Sequence, residues 1–218
     1  LTLKGFIIIL IFATTGVVSA KGLLDGSHCN IDPDEVISGD LFVLCGELIV
    51  EGHVEGHIIG AARTTTITDG GQVDGSIYLL GGELNMNGTL GKDIHFAGLS
   101  LHVENEVNFK HESGAILSLN LSNTVMPDAV VPGNITNLGY QLIVDGDVGN
   151  EINFWGSALT ISGDIGSDVT ATVGNSESSG SASQIETLLI PLEYFFHLDI
   201  ELIDPGLILT EDGSVNGQ

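Results

Sequence analysis

His53 and His57 lie four residues apart in the run GHVEGHIIG (residues 52–60). On a helix, that spacing would present two imidazoles to one zinc ion. Glycine at every fourth position disfavours a helix here, so the pair is not expected to hold a metal. Asp93, Glu151 and Asp168 each precede an aliphatic residue in similar segments and therefore share one column. They are either a carboxylate ladder for sugar or calcium, or outward corner residues in water, and the second reading is preferred. Enzymes that cleave acidic sugars also need cations to hold the substrate. After Ala20 only Lys21, Arg63, Lys92 and Lys110 are basic. No segment has the order of a calcium-binding nonapeptide or a nucleophile elbow. The glycine spacing is not six, which disfavours a hexapeptide-repeat enzyme. NGT, NLS and NIT, at residues 87–89, 120–122 and 134–136, match the glycosylation pattern and are read as incidental. The sequence assigns no catalytic, cofactor-binding or metal residue, and predicts a protein without cofactor or enzymatic activity.

Composition narrows the classes that remain. The chain has 218 residues, 43% of them hydrophobic, with 30 glycines and few aromatics. That is too apolar for a disordered chain and favours turn-rich β structure. Five basic residues stand against 29 acidic ones. Such a balance excludes nucleic acid as a partner, because phosphate contacts need Lys and Arg. It also disfavours docking on anionic lipid. Residues 1–20, LTLKGFIIILIFATTGVVSA, have one Lys, an apolar core and a small-residue end at Val18-Ser19-Ala20. This is the layout of a cleaved secretory signal peptide. It predicts export to the cell envelope or outside the cell, or membrane anchoring if the segment is retained.

The elements that must carry these residues are legible as a repeat. GHVEGHI (52–58) resembles GQVDGSI (71–77), GTLGKDI (88–94), GDVGNEI (146–152), GDIGSDV (163–169) and GSVNG (213–217). Their central residues are Val54, Val73, Leu90, Val148, Ile165 and Val215. Steps of 17 residues from these reach Ile37, Val107, Val131 and Leu198 as weaker copies. Six residues before each centre stand Ile31, Leu48, Ile67, Leu84, Leu101, Val125, Leu142, Leu159, Leu192 and Leu209. Four residues after stand Leu41, Ile58, Ile77, Ile94, His111, Ile135, Ile152, Val169 and Leu202, aliphatic except for His111.

A repeat this short fits one coil of an all-β, single-stranded parallel β-helix, a solenoid of about 17 residues per coil. Strands of successive coils would pair ~4.8 Å apart with equivalent side chains stacked. Glycine would sit at corners, where neighbouring coils approach closely. The predicted organisation is a β-helix over residues 21–173 with an insertion near 111–124, a polar loop over 174–184, and further coils over 185–218. The last coil begins at ILTEDGSVNGQ and stops at Gln218, so either the natural chain continues or this end is open. Ile77 is expected inward and Ser76 outward. Cys29 and Cys45, 16 residues apart, are expected in adjacent coils, either bridged or as two small buried residues.

GELIVEGHVEGHIIGAA followed by GGELNMNGTLGKDIHFAG resembles the bactofilins, polymer-forming bacterial cytoskeletal proteins, and more closely their exported relatives. The resemblance covers residues 37–107 well and 142–172 moderately. It implies a right-handed, triangular β-helix that joins end to end without nucleotide, and it brings no catalytic residues. The export signal and the insertions depart from the family pattern. The expected role is a structural or scaffold protein of the cell envelope that self-associates end to end. A membrane contact through the N-terminus or a missing C-terminal region is compatible with this role. The alternative is a carbohydrate-binding or carbohydrate-active β-helix.

Overall fold

The computed structural model describes residues 22–174 and 200–217. The expected signal segment, most of the polar loop and the positions of Leu192 and Leu198 lie outside the described residues. Within them the chain is a parallel β-solenoid of nine rungs and eight turns. Seven rungs carry one ten-residue strand: β1 (Gly22–Ile31), β3 (Leu41–Val50), β5 (Ile58–Ile67), β7 (Ile77–Met86), β9 (Ile94–Val103), β11 (Ile116–Val125) and β13 (Ile135–Val144). The eighth divides its long strand into β15 (Ile152–Trp155) and β16 (Ala158–Ile161), and the ninth into β18 (Val169–Thr172) and β19 (Gly206–Leu209). Each rung closes with a two-residue strand: β2 (Val36–Ile37), β4 (His53–Val54), β6 (Gln72–Val73), β8 (Thr89–Leu90), β10 (Asn108–Phe109), β12 (Val130–Val131), β14 (Asp147–Val148), β17 (Asp164–Ile165) and β20 (Ser214–Val215).

The long strands bend. In β3 the buried positions are Leu41, Val43 and Cys45, then Leu48 and Val50. Inward residues of a straight strand keep strict alternation. The change of parity at residues 46–47 marks a corner, so each coil has three sides: the first is the long strand up to the bend, the second is the rest of that strand, and the third is the two-residue strand. A column of small residues lines the inside of this bend, including Gly81, Gly98, Gly139 and Gly156. The rings of Phe96 and Phe154 fill the space left at Gly98 and Gly156. At the corner before β5, a Cβ on Gly56 would run into the Gly39 carbonyl of the preceding rung. That close approach explains the glycines of residues 52–60.

Coil length varies for a specific reason. The corner between a long strand and its short partner has either two residues or four. Every four-residue corner is a hydrogen-bonded turn: Glu35 donates to Asp32, Gly71 to Thr68, Val107 to Glu104, Ala129 to Met126 and Gly213 to Thr210. The short corner gives the step of 17 from Leu41 to Ile58, and the long one the step of 19 from Ile58 to Ile77.

Four features differ from the sequence expectation. Phe109, not Val107, stacks on Leu90, because the corner before it is of the four-residue kind. His111 is an exposed corner residue, and Ile116 takes the inward place above Ile94. The extra residues of that coil lie within 110–115, whereas residues 116–125 form the regular strand β11. The six-before column divides between two stacks. Leu48 shares a stack with Cys29 and Thr65, whereas Ile31 and Ile67 stack with Val50.

The C-terminal segment also differs. Residues 200–205 form no strand; Leu202, placed in an inward coil position by the repeat, instead packs outside the coils against Tyr140 and Leu121. β19 and β20 then stack on β16 and β17 and complete the ninth rung.

Candidate functional site

The side chains singled out above belong to a corner column and a polar cluster, both on the outside of the solenoid. The first runs Asp40, His57, Ser76, Asp93, Ala115, Asn134, Glu151, Asp168, each residue just before a long strand. Its backbone carbonyls continue the ladder: Leu41 N–H donates to His57 O, Ile58 to Ser76, Ile77 to Asp93 and Ile152 to Asp168. Its side chains do a second job. Asp40 Oδ1 accepts the N–H of His57 at 2.9 Å, His57 Nδ1 that of Ser76 at 2.8 Å, and Asp93 Oδ1 that of Ala115 at 3.0 Å. Asn134 Oδ1 accepts the N–H of Glu151 at 3.3 Å. A corner N–H left without an acceptor is costly, so each acceptor side chain secures the entry of the next rung.

This arrangement breaks up the carboxylate ladder that was the less favoured of the two readings of Asp93, Glu151 and Asp168. Ala115 and Asn134 stand between Asp93 and Glu151, and Asp93 is engaged with backbone. No group of three or more His, Cys, Asp or Glu side chains converges among the described residues. Ser76, expected outward, is 2% exposed and has its N–H and hydroxyl turned to the neighbouring rungs.

The polar cluster lies on and just beyond the third side, from two neighbouring columns, His53 with Gln72 and Asp74 with Lys110. Asp74 Oδ1 accepts from Lys110 Nζ at 2.9 Å, and its Oδ2 lies 2.8 Å from His53 Nε2. Gln72 reaches both His53 and Asp74 at 2.8 Å. The Lys110 ammonium is the main cause that lowers the Asp74 carboxyl from 3.8 to about 2; partial desolvation opposes it, and His53 and Gln72 reinforce it. His53 and His57 thus part company. His53 turns to Asp74, and His57 to the backbone of Ser76. Of the four basic residues, Lys110 joins this cluster, Lys92 and Arg63 are exposed, and Lys21 lies outside the described residues.

Compared with known protein families, curated proteins and solved structures, the chain matches none. No helix among the described residues is long and apolar enough to cross a membrane.

Three further features stand in the structure; the sequence missed the first and the third and left the second open between two readings. The first is a polar layer in the core: Ser118, Asn123 and Asn137 are buried, and both asparagine amides donate to Ser118 Oγ. Asn120, at the bend, accepts from Asn137 and joins the layer; its buried amide also rules out the NLS glycosylation site as folded. The layer lies in the interior stack between Phe96 and Phe154. Its signal was polar residues at the stacking positions of β11 and β13.

The second feature is the disulfide. Cys29 and Cys45 are bonded, with their Cα atoms 6.2 Å apart. They are not directly stacked: Cys29 pairs with Leu48 and Cys45 with Gly26, so the bridge runs diagonally across the bend.

The third is an apolar first side. A shallow hollow of about 720 Å³ opens there around Tyr78, Leu80, Phe96 and Leu138, with no carboxylate in its lining. Tyr78 and His95 stack beside it, ring centroids 4.5 Å apart.

Proposed function

We propose that this chain is a non-enzymatic structural subunit, an exported scaffold of the cell envelope that joins end to end, like the bactofilin-like proteins its sequence resembles. The observation that carries this reading is the parallel stack itself, in which each rung meets the next through the same in-register strand pairing. A row of unpaired N–H and C=O groups is a template for another strand layer. The corner column supports the same reading, since its polar side chains hold neighbouring rungs together rather than converging on a ligand. The test is negative-stain electron microscopy of the purified mature chain over a salt series. Linear particles many rungs long are expected, more abundant as salt screens the acidic surface. Particles never longer than one chain, at every salt and protein concentration, would remove the reading.

A second reading rests on the hollow itself, an apolar lining against which a neutral sugar can lie beside the exposed edge of Tyr78, one face of whose ring is taken by His95. Calorimetric titration with neutral oligosaccharides tests it, and heat lost in Tyr78→Ala is the expected signature.

A further inference from the structure

We propose that the first side of the solenoid is a pairing surface for a second copy of this chain, packed face to face with the two axes antiparallel. The surface is distinct from the terminal rungs and does not depend on end-to-end growth.

Charge makes the first argument. The outward positions of this side run in two columns, from Leu23 to Thr170 and from Asp25 to Thr172. Asp25 is the one charged carboxylate or cation in either column, although the chain carries 29 acidic residues. Two copies of a molecule with net charge −24 repel over most of their surface. Here they can meet without pressing carboxylates together.

Shape makes the second. The column nearer the bend reads Leu44, Ala61, Leu80, Ala97, Leu119, Leu138 on successive rungs. The leucines are exposed ridges, Leu80 at 61% and Leu119 at 55%; Ala61 and Ala97 are hollows on either side of Leu80, whereas Leu119 and Leu138 are adjacent ridges, so the fit is made by the four central rungs. A two-fold axis lying across the face between β7 and β9 sets each column against itself in reverse order. Leu80 then meets the partner's Ala97, and Ala61 the partner's Leu119. In the other column Tyr78 meets the partner's His95. At the rim Asp40 comes opposite the partner's Asn134, and Asp93 opposite the partner's Ser76. No carboxylate of these rungs faces another.

Size makes the third. Eight rungs at ~4.8 Å and a side of five residues at ~3.3 Å give roughly 34 by 13 Å, about 900 Å² of flat area for both copies. That is near the lower bound for a specific interface, so the pair is weak and concentration-dependent.

Sedimentation velocity on the full mature chain tests this. A monomer–dimer equilibrium is expected that persists in high salt. Leu80→Glu and Leu119→Glu should each weaken dimerisation at least ~10-fold with the melting temperature unchanged, because both side chains are exposed in the monomer. Ala97→Leu fills the hollow that receives Leu80 and should also weaken it; simple greasy association would instead be strengthened. Larger linear species, if present, should survive in all three variants, which separates this surface from the terminal rungs. A wild-type chain with no dimer at any concentration overturns the proposal. So does a dimer indifferent to Leu80→Glu, or one strengthened by Ala97→Leu. Monomers that instead bind neutral lipid vesicles or oligosaccharides through this side would also overturn it.

Discussion

The Nδ1 atom of His57 accepts the backbone N–H of Ser76, one rung further along, at 2.8 Å. A histidine spaced as if for metal therefore acts as an acceptor for a buried main-chain donor. His57→Ala should leave that donor orphaned and destabilise the fold by about 1–3 kcal/mol. His57→Asn should lose much less, because Asn134 performs the same task in the same column. Urea unfolding midpoints compare the two, and equal losses would refute the role.

Ile77 is fully buried between Ile58 and Ile94. Ile77→Asp would place an unpaired carboxylate in a dry stack, at a cost of several kcal/mol. Tyr78→Asp, one residue on and facing solvent, should cost about 1 kcal/mol or less. Thermal unfolding of the two variants should separate them clearly, and similar melting temperatures would mean the register is wrong.

The Cys29–Cys45 bridge closes a loop over a separation of 16 residues. Chain-entropy reasoning assigns such a loop about 3 kcal/mol. Titration of the unfolded, unreduced protein should find no free thiol. Reductant, or Cys45→Ser, should lower the melting temperature; an unchanged midpoint would contradict the assignment.

Asp74 links three rungs through Lys110, His53 and Gln72. Its folded pKa of about 2 lies below the unfolded 3.8. The sign follows: its contribution is present above the unfolded value and disappears as pH falls from there through about 2. Because both Asp74 and Lys110 are a third or more exposed, the pair is worth under ~1 kcal/mol. Asp74→Asn should lower the melting temperature slightly at neutral pH, and the difference should close between about pH 4 and pH 2. A difference that widens with acid would reverse the sign.

The repeat was legible because inward side chains recur with period two along each strand. That same period hid the two corner lengths. A shift of two residues exchanges one inward position for another, so Val107 looked as suitable as Phe109, and Leu48 as suitable as Val50. Ser76 was misread because corners are buried by neighbouring rungs, which no single-strand pattern records. The carboxylates of the corner column were visible, but their acceptor role depends on backbone donors one coil away. The apolar first side was masked by averaging, since a net charge of −24 says nothing about the side that carries almost none of it.

A stack of near-identical aliphatic layers is translationally degenerate: a coil that slipped by one rung would bury almost the same surface. The layer of Ser118, Asn123 and Asn137 breaks that degeneracy. Slipped by one rung, Asn137 would meet Phe96 in place of Ser118, and its amide would lose its partner. The layer thus works as a register mark, since the native alignment is the one that gives the Asn137 amide both of its acceptors, Ser118 and Asn120. Replacing it with leucine and phenylalanine would remove the cost of burying amides but also the mark, leaving a chain that holds its coils firmly but without a fixed register.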